Sequence, residues 1–335
     1  MYPHFKSIYK SSNHLANRDV INGWADGFID RDNKFVKEFQ TTFNSSFWEL
    51  YLHGIFKEYG FDINMKNDRP DFILKKNNQE VVVEAVIASN AENTPPEYTR
   101  GLDKSELALE IDFSEFNKET MIRLASAIIS KWKKYKNSYY SLKNVKGKPF
   151  VIALAPFHMP LHYFAADVPI RALLYDYYVD EQAEKKTGSH PPTVHLESIT
   201  KPNGAEIYLG WFNDDSMKEV SAVIFNPTAT FGKTDALCKM NENEEIIFST
   251  VRTKNNRLDL SICSKRDYYE TILDGLQVYH NPYAKYPLDE DFFFNKDVVQ
   301  CIGYDPNTQA LIYDSNLYNN GFLFFRLVNK LIDNL

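Results

Sequence analysis

Cysteine is scarce: Cys238, Cys263 and Cys301 are odd in number and widely spaced. They exclude a disulfide framework, and without a CxxC pair they offer zinc no thiolate site. A reducing, cytoplasmic setting is expected. Long apolar runs are missing as well. Nothing approaches the roughly 18 residues needed to span a bilayer, and the opening MYPHFKSIYKSSNHLANRD has no apolar signal core. No membrane partner is expected. Positive charge is not in excess, since 38 Lys and Arg stand against 45 Asp and Glu for a net −7. This excludes a protein that coats nucleic acid with its whole surface, while leaving room for a local basic groove. The signatures GxSxG, Walker A and GxGxxG after a strand are absent, and the eight histidines show neither HExxH nor HxH spacing. The usual signals for an α/β-hydrolase, a P-loop NTPase, a dinucleotide enzyme and a zinc hydrolase are therefore missing.

Aromatic side chains are abundant: 24 Phe, 21 Tyr and 4 Trp make up 15% of 335 residues, in a composition that is 44% hydrophobic and 25% charged. That mixture belongs to a folded globule rather than a disordered chain, and the length suits one large domain or two ordinary ones. Residues 1–42 have few apolar periods and read as an N-terminal arm that packs on something larger. NSSFWELYLHGIFKEYG then carries Phe47, Trp48, Tyr51, Leu52, Ile55 and Tyr59 at helical spacing and stops at Gly60. Short extended pieces follow: FDINM, the loop KNDRP, DFILKK, a turn at Asn77-Asn78, and QEVVVEAVIAS, whose β-branched run suits a strand covered on both faces. A loop with Pro95 and Pro96 leads to a second amphipathic helix near 118–140, and the apolar strand PFVIALAP comes next.

This order predicts an α/β fold, a mixed central sheet flanked by helices, with the core at 43–180. The polar stretch 180–192 is the best candidate boundary. Residues 193–335 read as a β-rich α+β region closed by a helix near 322–332, either a separate lobe or packed on the same core. Within it NPTATFGKT and HNPYAKYPL are turn-rich, which suits loops facing a substrate but is common without function.

The chemistry is suggested by acids. Glu49 lies in the first predicted helix, Asp71 follows Pro70 at the start of a strand, and Glu84 sits inside VVVEAVI. A carboxylate in a buried strand costs several kcal/mol unless it is paired, protonated or bound to a cation. Asp71 and Glu84 flank a two-strand unit, so cross-strand pairing brings them together, and clustered hard oxygens suit Mg²⁺ or Mn²⁺.

Over residues 43–155 this pattern resembles the PD-(D/E)xK nuclease superfamily, the restriction-endonuclease-like fold: an acid on a helix (Glu49), a Pro-Asp step (Pro70-Asp71), and an acid on a strand followed two residues later by a lysine (Glu84-Ala85-Val86). The resemblance implies metal-dependent hydrolysis of nucleic-acid phosphodiesters, with DNA favoured over RNA and roles in restriction, repair or defence. It makes Asp71 and Glu84 metal ligands and Glu49 a third. The sequence departs from the pattern at Val86, which stands where the lysine is expected. Lys131 and Arg123 on the second helix are the candidate replacements; otherwise the site is dead. The rival reading is thus a catalytically inactive nucleic-acid-binding or scaffold module that keeps the fold. Glu84 fully buried against an Arg or Lys of the chain, rather than open to a groove, decides for that rival. KWKKYKNSYYSLKNVKGK (131–148) adds seven lysines interleaved with aromatics, either phosphate contacts or a solvated face whose aromatics are core.

Overall fold

The run Val81-Val82-Val83 divides its side chains between two cores, and the molecule is organised around that division. Val81, Val83 and Ala85 point into one apolar cluster with Phe47, Trp48 and Phe56, whereas Val82 points into a second with Leu124, Ile128 and Phe150. The computed structural model describes residues 1–67, 69–90, 111–187, 193–239, 245–315 and 317–331. The loop predicted around Pro95 and Pro96, and residues 188–192 of the candidate boundary, lie outside these.

The strands in chain order are β1 (Asp62–Asn64), β2 (Phe72–Lys76), β3 (Gln79–Ile87), β4 (Phe150–Ala155), β5 (Tyr178–Val179), β6 (Thr193–Val194), β7 (Ser198–Thr200), β8 (Glu206–Tyr208), β9 (Ala222–Phe225), β10 (Glu245–Lys254), β11 (Arg257–Ser264), β12 (Gln277–His280), β13 (Val299–Asp305), β14 (Ala310–Tyr313) and β15 (Leu323–Leu331). The central sheet runs β1-β2-β3-β4-β9-β12-β13-β14. Strands β1 to β3 form an antiparallel meander, and β3, β4 and β9 are parallel neighbours. The fold is therefore mixed α/β, as expected. Strands β9, β12, β13 and β14 come from the second half of the chain and extend this same sheet, while β11-β10-β15 form a separate one.

One face of the sheet is covered by helix α4 (Phe43–Glu58), which follows α1 (Pro3–Lys10), α2 (Leu15–Ala25) and α3 (Phe35–Thr41). Helix α4 buries side chains nearly all round, the signature of a core helix rather than a surface one. It also donates a hydrogen bond from Trp48 Nε1 to the Ala153 carbonyl of β4 at 3.0 Å. Gly54 lets α2 and α4 close together: a Cβ there would lie 2.6 Å from the Trp24 ring. The opposite face carries a long helix, Phe113–Lys134, followed by a π-helical turn at Tyr135–Tyr139. Its start precedes the predicted one because Asp112 caps it, accepting from the Ser114 and Glu115 amides.

Residues 1–42 are largely helical, and Ile8, Ile21 and Trp24 belong to the core cluster under α4. One reading needs correction. The predicted closing helix at 322–332 is strand β15, antiparallel to β10. Its apolar spacing satisfies both periods, and the hydrogen-bonding partner supplied by β10 decides between them.

Candidate functional site

The β2–β3 hairpin sets the site. Its register pairs Lys76 with Gln79 and Phe72 with Val83, with Asn77 in the left-handed conformation at the turn (φ 53°). The next step along the ladder puts Asp71 beside Glu84, and Asp71 Oδ2 accepts a 2.8 Å hydrogen bond from the Ala85 amide. Glu84 turns toward the long helix, because strand alternation sends its neighbours Val83 and Ala85 to the other face.

From that helix Lys131 reaches both acids, with Nζ 2.7 Å from Glu84 Oε2 and 3.8 Å from Asp71 Oδ2. A second cation comes from the segment between α2 and α3. Arg31 donates to the carbonyls of Pro70 (2.7 Å) and Asn67 (2.9 Å) and to Asp71 Oδ1 (3.4 Å). The Glu84 side chain is 1% exposed, against 20% for Asp71, 17% for Lys131 and 16% for Arg31. Access to the cluster therefore runs past Asp71 rather than Glu84.

The electrostatics follow from this enclosure. Burial works to strip the Lys131 ammonium, but Asp71 and Glu84 outweigh it and hold the proton above the ordinary lysine range. Glu49, half-buried on α4, is pushed up to about 8, first by burial and then by the charge of Asp71, with Arg31 and Lys131 only partly opposing the rise. Tyr139, fully buried in the π-helical turn, is raised by burial and then by the charge of Glu84.

Asp71, Glu84 and Lys131 are thus brought together, and Glu49 lies within their field without an ion pair among the described residues. Among those residues no group of three His, Cys, Asp or Glu side chains is arranged to hold a metal ion, so Glu49 does not close on the other two as a third ligand. Arg123 lies two turns earlier on the helix, roughly 12 Å along its axis. It makes no ion pair among the described residues, and its Nε is buried without a hydrogen-bond partner. Val86 is half-buried and packs on the apolar cluster under the long helix.

The lysine run is dispersed. Lys131, Lys136 and Lys148 meet Glu84, Glu219 and Glu80, while Tyr135 and Tyr139 are core. Sequence reasoning missed Arg31, which stands 40 residues before its carboxylate in an otherwise ordinary polar loop. Of the two turn-rich stretches, NPTATFGKT does not face a substrate: Asn226, Thr228, Lys233 and Thr234 are all buried.

Comparison with models of protein families, with curated proteins and with solved structures finds no match to this chain. No helix among the described residues is long and apolar enough to cross a membrane.

Proposed function

We propose that this cluster is the centre of a metal-dependent nuclease of the restriction-endonuclease-like type, acting on nucleic-acid phosphodiesters, with Lys131 replacing the cation lost at Val86. The observation that carries the reading is the placement of Lys131 Nζ between Asp71 and Glu84. The order α4, β1–β3, long helix and β4, with β3 parallel to β4, supports it by giving the arrangement the resemblance implies.

Asp71 and Glu84 offer a hard-oxygen donor pair that fits Mg²⁺ or Mn²⁺, ions that retain several waters and need few protein ligands. Bound there, such an ion stabilises charge on the attacked phosphate and lowers the pKa of bound water. The chain's own residues do the rest. Lys131 offers an ammonium within reach of both acids, Arg31 holds the Pro70-Asp71 backbone and aims the Asp71 carboxylate, and Glu49, with a pKa of about 8, keeps its proton at neutral pH.

One observation favours the rival, an inactive nucleic-acid-binding or scaffold module. Glu84 is enclosed and paired, the condition set above for that reading, and Asp71 and Glu84 are matched one for one by Arg31 and Lys131. A divalent ion must therefore compete with an ammonium already in place. Because the partner of Glu84 is the very lysine the active reading requires, enclosure alone does not separate the two.

The test is cleavage of mixed DNA and RNA substrates with Mg²⁺ or Mn²⁺, together with thermal melting with and without metal. The nuclease reading expects metal-dependent cleavage, its loss in Asp71→Asn and in Glu84→Gln, and a higher Tm with metal, worth about 2.7 kcal/mol at a hundredfold excess over Kd. Cleavage undiminished in either variant removes these acids from the mechanism. A native chain that neither cleaves nor shifts its melting curve establishes the inactive module.

A further inference from the structure

At the far end of the β2–β3 hairpin from Asp71 and Glu84, roughly 17 Å along β3, lies a second site built from different chemistry. A cavity of about 640 Å³ opens between the hairpin turn, the loop before β4 and the loop after β12. That volume lies within the range of small-molecule sites. Three lysines line it, Lys75, Lys148 and Lys285, from segments far apart in the chain. Fold stability does not call for gathering three ammonium groups around one space; their mutual repulsion opposes it.

Two carboxylates stand beside them: Asp62 of β1 lies across the ladder from Lys75 without an ion pair among the described residues, and Glu80 is taken by Lys148 at 2.5 Å. That hydrogen bond, with the charges of Lys148 and Lys75, holds the Glu80 carboxyl below its usual range. Lys75 stands across the ladder from Glu80 but forms no ion pair among the described residues, and neither does Lys285. Both are exposed. The walls are suited to something larger than a lone anion: the Tyr286 ring, with Lys285 Nζ 5.5 Å from its centroid, and the rings of Pro149 and Pro287 provide flat apolar surface. The side-chain oxygen of Gln79, a residue of the lining, is buried without a hydrogen-bond partner.

We propose that this groove binds the phosphate of a nucleotide-sized ligand, free or within a nucleic-acid strand, through Lys75 and Lys285, with Tyr286 and the two prolines packing against the attached ring. The stretch HNPYAKYPL supplies Lys285, Tyr286 and Pro287, so the second turn-rich segment is where a ligand is met. The assignment does not depend on the nuclease reading.

The experiment is equilibrium binding of the full chain to three probes at low ionic strength: inorganic pyrophosphate, ATP, and a fluorescent single-stranded dodecanucleotide. The native chain is compared with the double variant Lys75→Glu/Lys285→Glu and with Lys6→Glu/Lys10→Glu, an equal charge change on exposed lysines outside the groove lining. Binding of ATP or the oligonucleotide is expected to weaken about tenfold or more in the double variant. The slope of log affinity against log salt for the oligonucleotide should fall by about 1.4, the value for two lost contacts to a single strand. Both lysines are exposed, so an unchanged melting curve is expected to accompany the loss. Lys6→Glu/Lys10→Glu should bind like the native chain, which ties the loss to the groove rather than to net charge. ATP binding identifies a free nucleotide as sufficient, whereas oligonucleotide binding alone identifies the strand as the source of the phosphate. Failure of all three probes to bind at millimolar concentration, or equal binding in the double variant, overturns the proposal.

Discussion

Two of the acid–base clusters among the described residues are built to opposite ends. Under the sheet β11-β10-β15, Glu270 meets Lys233 and Arg326, with all three side chains fully buried. Most of their remaining donors are used: Lys233 donates to the Asp274 carbonyl at 2.8 Å, Arg326 to the Thr228 carbonyl at 2.8 Å, and Tyr268 to Glu270, while the Arg326 Nε is buried without a partner. Burial alone would raise the Glu270 carboxyl, but the two cations overcome it and hold it at about 2. Beside Asp71 the arrangement differs. Two carboxylates meet two cations, a third acid, Glu49, is held protonated without an ion pair among the described residues, and three of the side chains keep partial access to solvent. A sealed cluster fixes how strands pack and leaves a ligand no way in. The cluster at Asp71 keeps a perturbed acid and an opening, the combination that marks a candidate reactive site.

The contrast is broken most severely by Glu270→Ala. It leaves two cations buried without their counter-ion and should cost about 3–5 kcal/mol, read as a lower urea midpoint with native spectra otherwise retained. A loss below 1 kcal/mol would mean that the cluster does not hold the β-sheet in register.

The next effect in size belongs to Lys131→Met. If the open cluster is catalytic, removing its ammonium should lower metal-dependent cleavage by about 100-fold or more, as loss of a charge-stabilising donor does elsewhere. Calorimetry with Mn²⁺ should at the same time show tighter binding, because Asp71 and Glu84 no longer share an ammonium. Cleavage at the native rate would remove Lys131 from the mechanism.

The smallest effect sharpens the comparison through pH. Glu49 binds its proton more tightly folded than unfolded, with a pKa of about 8 against 4.5, so the native state holds the extra proton between those values. Its contribution to stability is therefore complete below about pH 4.5, declines as pH rises, and is gone above about pH 8. Melting curves across this window should show the decline in the native chain and a flatter profile in Glu49→Gln. Glu270 has the opposite sign: its contribution is present above the ordinary carboxylate range and is lost only as pH falls through about 2. Identical pH profiles for native and Glu49→Gln chains would show that Glu49 is not held protonated by its surroundings.

These clusters also show what a sequence exposes. Glu84 is legible because a carboxylate inside VVVEAVI is a local anomaly, and Asp71 because a two-residue turn fixes which residues stand across the ladder. Helix α4, the hairpin and the apolar strand β4 are legible for the same reason: their periods lie within a few residues. Lys131 could be narrowed to a helix face but not separated from Arg123, since both lie off the apolar stripe and the depth at which the helix crosses the sheet is a tertiary quantity. Arg31 and the trio Lys233, Glu270 and Arg326 left no mark, because their partners are tens of residues away and each alone reads as a surface charge. Strand β15 was misread for a related reason: FLFFRLVNKL fits a helix locally, and the evidence against it is β10, some 80 residues upstream.

The reach of Arg31 has a practical side. A chain trimmed at residue 43, where the α/β pattern begins, loses the guanidinium that holds Asp71 and the Pro70 carbonyl, along with Ile8, Ile21 and Trp24 from the core. The shortest useful expression fragment therefore starts ahead of α1, and a truncated product without activity would say nothing about the full chain.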